Sequence, residues 1–582
     1  MIKNYFLSVL LILFISCKEQ NFTKSPNVIL IITDDQGYGD LGINKNPILK
    51  TPNIDELSSE SIVFNNFYVS PVCAPTRSSL MTGRYSLRTG VRDTYNGGAI
   101  MSTDEITIAE LLQEKNYKTG IFGKWHLGDN YPSRPSDQGF DESVIHLSGG
   151  IGQVGDITNY YQKDKSYFDP ILWKNNEKTK YEGYCSDVFT DEAINFIEEN
   201  SESTFFCYLS FNAPHTPLQV PDEFLEEYLD SDVAGIYEDG KNPMTKKDIE
   251  DAKKIYAMIS NIDYNIGKVL DKITELGIEE DTIIIFMTDN GPQQLRYNAN
   301  LRGLKGTVYN GGIKVPFYFK YPKFQDTRKQ INTLSAHIDL LPTLARLCDF
   351  EIPSDRTIDG FDMFSISEEK ENRSFFSYWT RKSPELYNNI SLIKNGFKLV
   401  GNTSYNATIN EFELFNLEED YKESDNLVDV NTEIANELKL DLNKIYDELI
   451  NSTNIKNQPL IHIGYEQENP SILNRNDASG QRGIWSNNNV YGKWETYFNK
   501  GLYNIKAKFN DVHLNKNSKF IIELNQKVYS KSILSFDNED FIELKNIRVD
   551  EGKYSLIPFL RNGNKNLLPF YVEIEKSTKQ KR

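Results

Sequence analysis

Cysteine is scarce in this chain. Five residues in 582 are far too few for a fold built on disulfides. Histidine is almost as rare, at six, so any that fall inside a motif stand out. Positive charge is in deficit: 64 Lys and Arg against 83 Asp and Glu leave a formal net charge of −19. Nucleic-acid binders present a basic surface, and that class is excluded. Apolar runs are short apart from one at the N-terminus, and a mean hydropathy of −0.51 excludes a polytopic membrane protein. Neither an internal repeat nor a low-complexity tract is present. What the chain does have is 39% hydrophobic and 12% aromatic residues, enough to bury sizeable cores and to rule out wholesale disorder. Its length exceeds what one core supports, so two or three domains are expected.

The N-terminal MIKNYFLSVLLILFISC pairs a basic Lys3 with an apolar run from Tyr5 to Ile15. The run is too short to span a bilayer comfortably and reads as a secretory signal. Its end, Phe14-Ile15-Ser16-Cys17, resembles a bacterial lipobox, with Phe14 where Leu is usual. Residues 1–17 are therefore expected to be a lipoprotein signal peptide, with Cys17 lipidated, and 18–25 a polar tether. The alternative is plain secretion, with Cys17 discarded. Either implies export, and the lipid would anchor the protein in the periplasm or at the outer membrane or cell surface.

Residues 27–33, 204–211 and 282–288 are continuous β-branched or aromatic runs, as in strands buried on both faces. Residues 117–122 read as a shorter strand. Residues 51–59, 103–115, 188–199 and 248–276 read as helices. This alternation predicts a mainly parallel sheet wrapped by helices over 26–350. From 351 to 450 the pattern becomes short antiparallel strands around an Asn395-Gly396 turn, closed by a helix at 430–450. Beyond a 451–458 linker, residues 459–582 alternate strands and turns, which suggests an appended β-sandwich.

Chemistry gathers at strand ends, where open α/β sheets bind ligands. Asp34 and Asp35 follow the first strand; Asp289 and Asn290 follow the third. Three carboxylates and an amide oxygen suit Ca²⁺ or Mg²⁺, not zinc. Either pair alone would more simply cap the next helix; two converging pairs favour a metal. Between them lies Cys73-Ala74-Pro75-Thr76-Arg77, followed by Thr82-Gly83-Arg84. This segment resembles the signature of the type I, formylglycine-dependent sulfatases. So do Gly123-Lys124-Trp125-His126-Leu127-Gly128, Asn212-Ala213-Pro214-His215-Thr216-Pro217 and Leu301-Arg302-Gly303-Leu304-Lys305-Gly306-Thr307, in family order. The resemblance spans roughly 26–450 and implies an alkaline-phosphatase-like α/β fold.

It also implies a mechanism. A maturase would oxidise Cys73 to formylglycine (3-oxoalanine), whose hydrated gem-diol attacks sulfur; its second hydroxyl then allows sulfate to be eliminated. A serine could form the ester but could not eliminate it this way. Asp34, Asp35, Asp289, Asn290 and modified Cys73 are expected to hold Ca²⁺, with Mg²⁺ as an alternative. Arg77 would support the nucleophile, and Lys124 and Lys305 would bind sulfate oxygens. His126 would take the proton that drives sulfate expulsion, and His215, with Lys305, would protonate the leaving oxygen. Lys124, His215, Arg302 and Lys305 form the expected substrate-binding set. The charge of −19 opposes a polyanion only at long range, because salt screens beyond roughly 8–10 Å.

The other histidines (His146, His337, His462 and His513) read as structural or surface residues, and Cys207 as a core residue. A Cys185–Cys348 disulfide is a further candidate. In the appended segment Trp485 and Trp494 fall in a rhythm resembling carbohydrate-binding sandwiches. They would either stack on sugars or, more simply, fill the core. The expected substrate is a sulfated oligo- or polysaccharide: ulvan as the marginal favourite, carrageenan or a glycosaminoglycan as alternatives. Two rival readings stand beside it: a phosphate or phosphonate monoester hydrolase, and a non-catalytic sugar-binding lipoprotein.

Overall fold

A computed structural model describes residues 25–577 apart from 238–241, 325–327, 366, 368–369, 371, 382 and 538–539. The signal segment 1–17, with Cys17, and all of the tether but Ser25 lie outside the described residues. No described helix is long and apolar enough to cross a membrane.

Asn27–Thr33 is buried throughout and lies at the middle of a ten-stranded sheet. It pairs in parallel with Phe205–Ser210 on one side and Thr282–Thr288 on the other. Lys118–Lys124 and Glu142–His146 continue the parallel run beyond Phe205–Ser210, and antiparallel strands close both edges. Alternate side chains feed two cores: Val28, Leu30 and Ile32 on one face, Ile29 and Ile31 on the other. Such two-sided burial requires the continuous apolar runs read in the sequence.

Helices cover both faces. Lys246–Glu275 starts at a capping box between Thr245 and Asp248 and buries an Ile255, Ile259, Ile262, Ile266 stripe. The helix expected at 103–115 begins only at Ile108, because Thr107 and Glu110 form a capping box there. Cys73–Thr82 is a helix that the periodicity did not reveal. Every residue in it is buried, so it has no polar face to create a period.

Ser374–Tyr378, Asn388–Lys394, Phe397–Asn402 and Glu413–Asn416 form the expected antiparallel sheet. Asn395 and Gly396 take positive φ, at 51° and 77°, between Lys394 and Phe397, which pair directly. Thr432–Ile450 packs Leu438, Leu442 and Leu449 on this sheet. The C-terminal region folds as two sheets around a common apolar core.

Three readings left open in the sequence can be followed in the structure. The 451–458 linker is docked: Thr453–Lys456 is helical, and Asn454 donates to Asp104 at 3.2 Å and Glu105 at 3.0 Å. Cys185 and Cys348 are free thiols in the cores on opposite faces of the sheet, so no disulfide joins them. Trp494 is fully buried, its indole nitrogen donating to the Asn474 carbonyl at 2.8 Å; it is core. Trp485 is half-buried and packs on Tyr95 of the large-sheet region, ring centroids 5.7 Å apart.

Candidate active site

Register lines up the strand ends. Thr33 pairs with Thr288, Ile32 with Ser210, and Ser210 with Gly123. Asp34–Asp35, Asp289–Asn290 and Lys124 therefore emerge side by side at one edge. Gly123 has φ 120°, and a Cβ there would lie 1.8 Å from the Ser210 carbonyl oxygen. Only glycine lets the chain turn Lys124 into the site.

Each buried cation has its own carboxylate. Lys124 Nζ reaches Asp34 Oδ2 at 2.5 Å, and Lys305 Nζ reaches Asp35 Oδ1 at 2.5 Å. Arg77 donates twice to Asp289 Oδ2, at 3.2 and 2.9 Å. Its other nitrogen donates to the Lys124 carbonyl at 3.0 Å and to Ser210 Oγ at 2.6 Å. The Arg77 fork is thereby locked. Burial alone would raise the Asp35 carboxyl, but Lys305 and His215 overcome it and hold the group ionised, below the usual range. Burial and the neighbouring Asp34 push the Asp289 carboxyl up, against the pull of Arg77 and Lys124.

Cys73 opens its helix at the centre. Its Sγ lies 3.5 Å from His126 Nδ1, and His126 Nε2 lies 2.7 Å from the Thr94 carbonyl oxygen. A carbonyl only accepts, so Nε2 carries the hydrogen and the Nδ1 lone pair faces residue 73. Burial, with Lys124 next, keeps this imidazole neutral. Burial raises the Cys73 thiol, which Lys124 and Lys305 partly offset. His215 points Nε2 at Asp35 Oδ2, 3.7 Å away, while its Nδ1 is 2.8 Å from the Thr216 carbonyl. Burial lowers it to about 3.

The acidic pocket fits a hard divalent cation. Asp34, Cys73 and Asp289 bring ligand atoms within 4.8 Å of one another, as do Asp34, Asp35 and His215. Asp34 Oδ1, Asp35 Oδ2 and Asn290 Oδ1 are buried without a hydrogen-bond partner. Unsatisfied buried oxygens are costly, and oxygen donors of this kind are what Ca²⁺ binds.

Of the expected residues, Asp34, Asp35, Cys73, Arg77, Lys124, His126, His215, Asp289, Asn290 and Lys305 converge. Arg302 does not join them. It pairs with Glu413 at 3.0 Å, stacks on Tyr309, and lines a separate cleft of about 1210 Å³ with Tyr297 and Asn300. Ser210, Thr94 and Gln153, which the sequence reading did not name, do take part. Gln153 Nε2 donates to the Thr216 carbonyl at 2.9 Å beside His215. Ser210 ends a buried strand, so the strand-end rule could have found it. Thr94 acts through its backbone and leaves no mark in sequence. His146, at the end of its strand, is buried with Nδ1 on its own neighbour's carbonyl, and His337 is buried against Tyr68. His462 packs edge-on and tilted among Tyr131, Tyr465 and Tyr497, and His513 is exposed. Cys207 is a core residue.

Paired cations and a metal-type acid cluster around one buried cysteine, at the carboxyl ends of a parallel sheet, define an enzyme for a small anionic ester. Residues 26–350 match the sulfatase family, and 304–448 match the C-terminal region of N-sulphoglucosamine sulphohydrolase. Mouse N-acetylgalactosamine-6-sulfatase is 29% identical over 61% of this chain and 69% of its own length. Human arylsulfatase A is 30% identical over 58% and 67%. The solved structure of Ps i-CgsB in complex with k-i-k-neocarrahexaose is 29% identical, with a TM-score of 0.63, over 74% of this chain and 94% of that one. The chain belongs to the sulfatase family and is a sulfuric ester hydrolase.

Proposed function

We propose that this sulfatase removes sulfate from a sulfated oligo- or polysaccharide, using a formylglycine made from Cys73 and a bound Ca²⁺. The observation that carries the catalytic part is the His126 Nδ1 lone pair facing residue 73 at 3.5 Å, with the charges of Lys124 and Lys305 acting on that residue. The saccharide is supported by the neocarrahexaose bound to a structure 29% identical over 94% of its length. The preference for ulvan rests on no residue and is left to the substrate panel.

Asp34, Asp35, Asp289, Asn290 and residue 73 would hold the cation, which supplies Lewis-acid polarisation of the sulfate group. Formylglycine supplies a hydrated aldehyde oxygen as nucleophile. The chain's own groups do the rest. Arg77, fixed by Asp289 and Ser210, holds residue 73 in place. Lys124 and Lys305 exchange part of their carboxylate contact for sulfate oxygens and balance charge as the S–O bond breaks. An anionic sulfate bound beside it would raise His215 from its low resting value and charge Nε2, so that His215, with Lys305, can deliver a proton to the departing alcohol oxygen. His126, held by Thr94, takes the proton from residue 73 when sulfate leaves. Export and a lipid anchor on Cys17 complete the proposal and rest on the N-terminal sequence alone.

The test compares sulfate with phosphate release from one aryl leaving group, after co-expression with a maturase and a peptide-mass check of residue 73. Sulfate release well above phosphate release supports the reading. Preferential phosphate release would favour a phosphoester hydrolase instead.

A further inference from the structure

An exposed cation outside the proposed catalytic set stands on residues that adjoin it. Arg381 sits over two rings, its guanidinium carbon 5.1 Å from the Tyr95 centroid and 5.1 Å from the Trp379 centroid. Each ring reaches a residue of the proposed catalytic set through one neighbour. A Cβ on Gly306, the residue after Lys305, would lie 2.8 Å from the Trp379 ring. Asn389 ties the two together by donating to the carbonyls of Gly306 at 2.8 Å and Trp379 at 2.7 Å. On the other side, Tyr95 follows Thr94, whose carbonyl holds His126. Arg381 itself reaches Thr94 Oγ1 at 3.4 Å. The contacts therefore run from Lys305 through Gly306, Trp379, Arg381 and Thr94 to His126.

A structural role for Arg381 would be the neutralisation of Asp93. That carboxylate is already served by the Thr94 amide at 2.8 Å and the Trp379 indole at 3.2 Å. Arg381 lies 3.7 Å away, and its side chain is 49% exposed. A planar guanidinium stacked on aromatic rings keeps its edge donors available for a carboxylate or sulfate. The shelf is also built by three parts of the chain. Trp485 of the C-terminal sandwich packs on Tyr95, Gly480 donates to Asn96 Oδ1 at 2.7 Å, and Gly97 donates to the Asn476 carbonyl at 3.2 Å.

We infer that Arg381, stacked on Trp379 and Tyr95, determines specificity by binding an acidic group on the sugar next to the one that loses its sulfate. This rests on the saccharide reading above. The acidic group is a second sulfate or a carboxylate. In this arrangement the sandwich braces the shelf through Trp485 and does not act as a detached sugar-binding module.

The experiment uses the full-length matured enzyme and three sulfated trisaccharides, whose neighbouring sugar carries a second sulfate, a carboxylate or no charge. For Arg381→Ala the ratio of kcat/KM between an acidic and the neutral substrate should fall about tenfold or more, as expected for loss of a charge-assisted contact. Arg381→Lys should restore part of that ratio. Whichever acidic substrate shows the drop identifies the group. An unchanged ratio, or an equal loss on all three substrates, overturns the inference. The same trisaccharides are titrated calorimetrically into Cys73→Ala and Cys73→Ala/Arg381→Ala proteins. Selective weakening of the acidic ligands by the second substitution, with no sulfate released from any saccharide by the matured enzyme, would overturn the saccharide reading and leave the Arg381 site standing. Titration indifferent to Arg381 would overturn the inference itself.

Discussion

Lys124 on Asp34, Lys305 on Asp35 and Arg77 on Asp289 share one buried corner. Charges at such depth are tolerated only when paired and hydrogen-bonded, yet three oxygens there still lack partners. A cation that satisfies them binds the native state alone and stabilises it by mass action. Millimolar Ca²⁺ should therefore raise the Tm by several degrees over an EGTA-treated sample, at about 2–4 °C per kcal/mol for a domain of this size. Identical melting curves would argue against the metal site. His215 carries a second expectation. An alkoxide leaving group needs a proton, whereas a nitrophenolate does not. His215→Ala should lower kcat on a sulfated saccharide by about 10²-fold or more, and on 4-nitrophenyl sulfate by much less. Equal losses on both substrates would contradict its role as the acid. At this scale the sequence was most informative, because each catalytic group sits in a short contiguous block. Thr94 stayed hidden because its contribution is a carbonyl, and Arg302 misled because its block also ties the Lys305 segment to Glu413.

Strand ends position these groups, and the elements least visible in sequence are those that are buried on every side. The Cys73–Thr82 helix has no apolar stripe to betray it, whereas Lys246–Glu275, with one exposed face, carries the 3.6-residue period that marks it in the sequence. The Asn395-Gly396 turn was legible because its positive φ values demand those residue types. Gly123 is the sharpest test at this level. With its φ at 120° and the Ser210 carbonyl against it, any Cβ forces apart the Lys118–Lys124 and Phe205–Ser210 strands. Gly123→Ala should lower the Tm markedly and abolish turnover together, by thermal denaturation and sulfate assay. Wild-type stability in this variant would mean that the strands do not approach as described.

The C-terminal sandwich meets the catalytic region through groups that no local pattern announces. Asp129, just beyond the Lys124–Gly128 block, accepts from the Ser148 amide at 3.0 Å and from Asn474 Nδ2 at 2.6 Å. Asp477 Oδ2 accepts from the Asp129 amide at 3.3 Å. Burial raises both carboxyls, and Asp477 raises Asp129 further. The native state thus binds more protons here than the unfolded chain, so this contact favours folding most at low pH. Its contribution falls as pH rises from the ordinary carboxylate range toward the raised native values. Asp477→Asn, which cannot ionise, should flatten the decline in urea-measured stability between about pH 4 and 7. A profile that keeps the wild-type slope would contradict the buried pair. Sequence alone could place the sandwich but not its docking, because Asp129 and Asp477 lie far apart in the chain. The same distance concealed the meeting of Tyr95, Trp379, Arg381 and Trp485.

The most direct test of the proposed action on a saccharide is sulfate release from a panel of ulvan, carrageenan and glycosaminoglycan oligosaccharides. Matured enzyme, with residue 73 verified by mass, is set against Cys73→Ala. The expected result is release from one class of saccharide, lost in the variant. Matured enzyme that releases sulfate from an aryl ester but from no saccharide, or a Cys73→Ala variant that still turns over, would contradict it.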